Sequence, residues 1–101
     1  MNNVITVMKY RSKTDIIGHI LEVVNSHGDN GLTKTKIMYN VFLSFAQLKE
    51  YLSVLLEKGL IEEYQKEQDE KEKQRSSYYY RITYKGRRFL EIYRGLSEMI
   101  S

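Results

Sequence analysis

Apolar residues first recur with helical spacing at Ile16, Ile17, Ile20, Leu21 and Val24. Ser12 stands where a helix needs a capping side chain, and Asp15 sits in the first turn, where a carboxylate suits the positive end of the helix dipole. His27 and Gly28 close the run, so a first helix is predicted over about 13–27. The next stretch, HGDNG, is a turn by composition. Thr33 then caps a short helix, TKTKIMYN, ending near Asn40. Val41-Phe42-Leu43 is an apolar turn expected to face inward. Ser44-Phe45-Ala46-Gln47 is a capping box, since Ser44 and Gln47 can each satisfy a free amide of the helix start. A third helix follows through Lys58, with Phe45, Leu48, Leu52, Leu55 and Leu56 on one stripe and Gly59 as a left-handed stop.

The period then changes. Leu60 to Tyr64 and Tyr78 to Thr83 are rich in branched and aromatic residues and read as strands. Between them lies QKEQDEKEKQR, residues 65–75, with no apolar residue. Two strands joined locally pair antiparallel, so this stretch is predicted to be the tip of a hairpin. The alternative is a helix over Glu62 to Arg75, because Glu, Lys and Gln are good helix formers. A last helix runs from about Tyr84 to Ile100, with Phe89, Tyr93, Leu96 and Ile100 spaced like a coiled-coil seam. The order ααα-β-β-α predicts a mainly α fold with a small β-hairpin: a winged helix-turn-helix with a C-terminal dimerisation helix. Residues 1–9 form an N-terminal extension bearing Val4, Ile5, Val7 and Met8, residues 10–83 the winged-helix domain and residues 84–101 the last helix.

Composition narrows the function classes. At 101 residues the chain makes one domain with a modest core, too small for a roomy cleft beside it. Cysteine is absent and only His19 and His27 could offer imidazole, so neither a disulfide nor a zinc site is expected, and a cytoplasmic location fits. No apolar run reaches the length of a membrane span and the start lacks the layout of a secretory signal. Net charge is +3, divided as +2 over residues 1–60, −2 over 61–75 and +3 over 76–101. That balance permits nucleic-acid binding without demanding it. Asp15 and His19, four apart, suit a surface pair. Neither a phosphate-binding Gly loop nor a spaced nucleophile is present, so no enzyme, cofactor, metal or small-molecule ligand is expected.

The stretches RSKTDIIGHILEVV, KTKIMYNVFLSFAQLKEYLSVLLEKGLIEE and YRITYKGRRFLEIY resemble the small archaeal winged-helix DNA-binding proteins, including the dimeric chromatin-associated proteins of Sulfolobus. The likeness runs from about Tyr10 to Ile100 and is most specific over Lys34 to Glu63. It implies cytoplasmic, nucleoid-associated binding of double-stranded DNA without enzymatic activity. It also implies a homodimer joined through the C-terminal helices as an antiparallel coiled coil, with Phe89, Tyr93, Leu96 and Ile100 at the interface.

In a helix-turn-helix only the first turns of the recognition helix reach base edges. Ser44, Gln47, Glu50 and Tyr51 are therefore the base-reading candidates. Gln47 has the donor and acceptor for adenine, or simply completes the cap; Glu50 meets phosphate repulsion unless it accepts from cytosine. Backbone candidates are Arg11, Lys13, Lys34, Lys36 and Lys49 on the helices, Lys71, Lys73 and Arg75 along the wing, and Tyr79 and Arg81 on the second strand. Strand alternation puts Tyr78 and Tyr80 with Ile82, on the side expected to pack. Two other readings compete. One is a protein-interaction module using Glu50, Val54, Glu57 and the acidic residues of 62–72. The other is single-strand binding through Tyr79.

Overall fold

Ser12 opens the first helix as its place in the sequence predicts. Its Oγ accepts from the Asp15 backbone N–H at 3.1 Å and donates to the Asp15 carboxylate at 2.7 Å. The computed structural model describes residues 11–66 and 78–100. Within them α1 spans Lys13–Asn25, and one 3-10 turn, Gly28–Asn30, leads to β1, Leu32–Thr33. Helix α2 spans Lys34–Val41 and α3 Phe45–Glu57. Strands β2, Ile61–Gln65, and β3, Tyr78–Ile82, precede α4, Tyr84–Ile100. The fold is a mainly helical winged helix-turn-helix.

Strands β2 and β3 pair antiparallel from Ile61↔Ile82 to Gln65↔Tyr78. The hairpin therefore holds, and Glu62 to Gln65, which a helix would have included, are strand. The predicted tip, with Lys71, Lys73 and Arg75, lies outside the described residues, as does the N-terminal extension. The sheet has a third strand that the sequence did not announce. β1 pairs with β3 through Leu32↔Tyr80 and Thr33↔Tyr79, giving the order β1-β3-β2. Two residues carry no readable alternation, so only tertiary pairing defines them.

Each element contributes its apolar face to one core: Ile20, Leu21 and Val24 from α1, Ile37 and Val41 from α2, Leu48, Leu52 and Leu55 from α3, Ile61, Tyr80 and Ile82 from the sheet and Leu90 from α4. Tyr80 is 2% exposed, and its hydroxyl donates to Glu63 at 2.6 Å, which satisfies the one polar atom its burial would otherwise strand. Tyr78, expected to pack beside it, is half exposed at the end of the strand.

Two further expectations fail together. Val41 and Leu43 do turn inward, but Phe42 between them is 81% exposed. Phe42 adopts the left-handed conformation, φ 58°, which lets the Leu43 N–H reach back to the Met38 carbonyl at 3.3 Å. That tight reversal sends its neighbours into the core and its own ring out. Phe45 follows the buried stripe of α3 in direction yet is 58% exposed, because the first turn of the helix projects past the end of the core.

Helix α4 lies against α1. Its start is fixed by Gly86, which packs on the Leu60 carbonyl, and by the Thr83 hydroxyl, which donates to the Gly59 carbonyl at 2.6 Å and accepts from the Gly86 N–H at 3.0 Å. Further along, the Tyr93 ring covers Gly18, where a Cβ would come within 2.6 Å of it, and its hydroxyl donates to Asp15 at 2.8 Å. Arg94 pairs with Glu22.

Candidate nucleic-acid interface

The first turn of α3 is held by both halves of the capping box. The Ser44 N–H donates to Gln47 Oε1 at 3.0 Å, and the Gln47 N–H donates to Ser44 Oγ at 3.2 Å. Cap and base reading therefore share one oxygen. The Gln47 amide NH2, with two donors, is not used by the cap. Ala46, Gln47, Glu50, Ser53, Val54 and Glu57 are all exposed, so the solvent face of α3 is the one helical spacing gives. Tyr51 is half-buried and packs against the core. Lys13 from α1 joins Glu50, Tyr51 and Val54 around a shallow hollow of about 130 Å³, which places a cation of α1 beside the middle of α3.

Helix α2 supplies the neighbouring charge. Thr33 Oγ1 accepts from the Lys36 N–H at 3.4 Å. Lys34 sits in the first turn, its Nζ 5.8 Å from the centre of the Phe45 ring, and Lys36 is exposed beside it. Thr33, Lys34, Thr35, Tyr78 and Tyr80 line an open cleft of about 340 Å³ between the start of α2 and the sheet. Lys49 is exposed on α3. From Asn30 to Lys49 the sequence contains three lysines and no acidic residue, with Asp29 and Glu50 at either end of that stretch.

Arg11, a backbone-contact candidate, bonds within its own chain. Its Nη2 donates to the Val41 carbonyl at 2.8 Å and its Nη1 to His19 Nδ1 at 3.2 Å, tying the entrance of α1 to the end of α2. Asp15 and His19 thus take separate partners, Asp15 accepting from Ser12 and Tyr93. Partial burial, and then the charge of Arg11, hold His19 below its usual pKa. An imidazole that accepts from Arg11 must be neutral, because guanidinium can only donate. The unfolded chain therefore takes up this proton first, and stability should fall as pH drops through the usual histidine value of about 6.5. Urea unfolding midpoints measured down this range should decline in the native chain and flatten in His19→Gln. Asp15 is held low chiefly by its bond from Ser12 and then that from Tyr93, so its contribution is lost only in the lower carboxylate range.

On the wing, Arg81 pairs with Glu62 across the strands and lies 4.4 Å from the Tyr64 ring centre. Tyr79 is half-buried against Tyr64, ring centres 6.0 Å apart, with Lys66 Nζ 4.2 Å from its own ring centre. The Tyr64 hydroxyl in turn donates to the Asn30 carbonyl at 2.6 Å, which fastens the wing to the 3-10 turn. Both strand candidates are thus placed in a network on the sheet. Lys66 was not expected there. The exposed Tyr39, Phe42 and Phe45 at the α2–α3 corner were not expected either, since the apolar pattern placed both phenylalanines inside. Among the described residues, no group of His, Asp and Glu is arranged to hold a metal ion, and no helix is long and apolar enough to cross a membrane.

Three packed helices, a capped and exposed start to the third, and a two-stranded wing define a winged helix-turn-helix protein. The chain belongs to the winged helix-turn-helix family, whose pattern matches residues 10–101. No curated protein matches it. Among solved structures it is similar to MepR of Staphylococcus aureus, a transcription regulator of the multidrug efflux pump MepA, with 21% identity over 85% of this chain and 58% of that one at a TM-score of 0.69. The complex of MepR with DNA gives 22% identity, 85% and 65% coverage and a TM-score of 0.69. A mutant of MepR gives 18%, 98% and 66%, and 0.72. At such identities the likeness establishes the fold, and the chain spans between 58% and 66% of the length of these regulators.

Proposed function

We propose that this chain binds double-stranded DNA as a homodimer, with the first turn of α3 in the major groove, and acts as a transcription regulator or chromatin-associated protein, not an enzyme. The observation that carries the reading is the capped, exposed start of α3 with Lys34 beside its first residue, in a stretch from Asn30 to Lys49 that holds three lysines and no acidic residue. Backbone amides, hydroxyls and lysines gathered at two helix starts are the groups that hold phosphate and set a helix in register on a duplex. Ser44 and Gln47 then stand at base edges, with Lys13 toward the flanking backbone. MepR, which shares the fold, is known in complex with DNA, which supports DNA as the partner. Action at a cytoplasmic nucleoid follows from that partner, and sequence-tolerant binding would favour the chromatin-associated role.

The second reading is a protein-interaction module. Exposed Glu50, Val54 and Glu57 on the later turns of α3 favour it, because a carboxylate-bearing face is repelled by phosphate. Gel shifts with random and genomic duplexes over a salt series separate the two. DNA binding should be evident at low salt and weaken steeply as salt rises. Lys34→Ala with Lys36→Ala should lower affinity on every sequence alike and reduce the slope of log affinity against log salt by about 0.9 for each phosphate no longer neutralised. Absence of binding at low salt would transfer the surface to a protein partner.

The dimer reading rests on α4. Leu90 and Gly86 are buried and Phe89 and Tyr93 pack against the chain's own core. The free apolar stripe is therefore Ile92, Leu96 and Met99, spaced four and three apart, with Ile100 beside it. In the proposed dimer the seam holds Leu96 and Ile100, which the sequence suggested, together with Ile92 and Met99.

A further inference from the structure

Arg11 sits at a junction of three helices. It precedes α1, yet its Nη2 donates at 2.8 Å to the carbonyl of Val41, the last residue of α2. Its Nη1 donates to His19 Nδ1 at 3.2 Å. One guanidinium therefore ties the entrance of α1 to the turn between Val41 and Ser44, the residue that opens α3. Just beyond Arg11, Lys13 lines the hollow beside Glu50, Tyr51 and Val54 of α3. The entrance of α1 thus borders both the turn and the candidate recognition helix.

Both partners of Arg11 are neutral. Arg81 and Arg94 differ, each being paired with a glutamate. The charge of Arg11 is therefore unspent. A phosphate would offer the same fork of N–H groups two charged oxygens, and such bonds are roughly twice as strong as those to neutral acceptors.

The seat on His19 carries a condition. Guanidinium only donates, so Nδ1 must keep its lone pair. A proton on Nδ1 would set two cations against each other, and no free carboxylate among the described residues stands by to hold them together. Asp15, a turn before His19, is taken by Ser12 and Tyr93, and Glu22 by Arg94. The charges that bear on His19 are Arg11 and, in the opposite sense, Glu22. Of the elements around α1, α2 carries Lys34, Lys36 and Tyr39, and α3 brings Glu50 and Tyr51 to Lys13. On β3, Tyr80 is spent on Glu63 and Arg81 on Glu62.

We propose that Arg11 has two seats, His19 with the Val41 carbonyl in the free protein and a phosphate of the duplex in the complex, so that DNA binding and protonation of His19 favour each other. The proposal rests on the DNA-binding reading and deepens it by adding its regulation. Partial burial, and then Arg11, hold His19 below its usual pKa in the free chain. On the duplex the second of these is gone, and the nearby phosphates favour the charged ring. The complex then binds more protons than the free chain below the usual histidine value of about 6.5, and affinity rises as pH falls through it.

The test is a titration of the full chain with a random duplex at constant low salt, from about pH 8 to about pH 5.5, a range that brackets the usual histidine value. Affinity of the native chain should rise toward acid, by at most about tenfold per pH unit, because one proton is taken up. His19→Gln keeps an oxygen that accepts from Arg11 but takes no proton, so it should lose the rise. His27→Gln should retain it. Arg11→Gln should lose the rise and, at the acid end, reduce the slope of log affinity against log salt by about 0.9, the share of one phosphate. Independently of any variant, the NMR titration midpoint of the His19 ring should move to higher pH when duplex is added. An affinity that does not change with pH, a rise that survives His19→Gln, or a His19 midpoint unmoved by duplex overturns the inference while leaving DNA binding standing. Failure to bind any duplex at low salt overturns it together with the DNA-binding reading.

Discussion

Gly86→Ala is expected to unfold the domain or come close to it. A Cβ at this position would lie 2.0 Å from the Leu60 carbonyl oxygen, 2.7 Å from Ile82 Cγ1 and 3.0 Å from the Leu60 carbonyl carbon. The first of these is backbone, and it is already committed: Leu60 O accepts from the Thr83 N–H at 3.1 Å. Relief requires α4 to lift from the start of β2, which would also release the Thr83 hydroxyl from Gly59 and Lys85 Nζ from the Lys58 carbonyl. Overpacking in a core commonly costs 1–3 kcal/mol and more where backbone must move, against a whole-domain stability of roughly 5–15 kcal/mol. A loss of about 3 kcal/mol corresponds to a fall in Tm of roughly 12–24 °C for a domain of this size. Gly95 provides the internal control. It lies on the same helix with nothing within 4 Å of its missing Cβ, so Gly95→Ala should raise stability by up to about 1 kcal/mol through helix propensity alone. Thermal unfolding of the two variants should therefore move in opposite directions. Equal shifts would mean that α4 does not pack on Leu60 as described.

The contrast between these glycines shows what a sequence can and cannot reveal here. Gly86 belongs to the Thr-Tyr-Lys-Gly stretch that marks the passage from strand to helix, but only the packed fold shows that the fourth residue has no room for a methyl group. Short-range chemistry was legible throughout. The Ser12 cap, the Ser44–Gln47 box, the left-handed Gly59 and the limits of α4 are all decided by residues within one helical turn of one another. The hairpin was legible because two branched and aromatic runs flank a stretch with nothing to bury. Strand β1 was not, since two residues have no period and acquire one only by lying beside Tyr79 and Tyr80.

The candidate site was legible in direction more than in extent. Helical spacing told which side of α3 faces solvent: Ala46, Gln47, Glu50, Ser53, Val54 and Glu57 are exposed there, while the base-reading candidate Tyr51 packs against the core. It did not tell where along the helix the core stops. Phe45 continues the stripe of Leu48 and Leu52 beyond the point where other elements cover it, and so emerges at the surface. Arg11 shows the matching difficulty for charge. A guanidinium near a helix start is as ready to take a free carbonyl of its own chain as a phosphate, and the Val41 carbonyl at the end of α2 is within reach.

The same distinction between stripe and extent governs the second large effect, expected at Leu96. Along α4 the apolar positions turn gradually from the domain toward solvent. Phe89 and Tyr93 face the core and α1, while Ile92, Leu96 and Met99 are 61%, 59% and 82% exposed. A helix of 17 residues is about 25 Å long, enough for a short two-helix seam in the proposed dimer. In a two-fold dimer each substitution enters the interface twice. Leu96→Glu should therefore place two carboxylates in an apolar seam and convert dimer to monomer in sedimentation, with the helical signal of the domain retained because Leu96 takes no part in the core. Affinity for a duplex holding two half-sites should then fall by about 10²–10⁴, the factor lost when two linked binding modules act singly. Tyr93→Ala supplies the opposite pattern. It removes the ring from Gly18 and the hydroxyl from Asp15, so it should lower the unfolding midpoint of each domain while leaving the Ile92–Leu96–Met99 seam in place. A Leu96→Glu protein that still sediments as a dimer would locate the assembly surface elsewhere than on α4, and a native chain that is monomeric at high concentration would remove the dimer altogether.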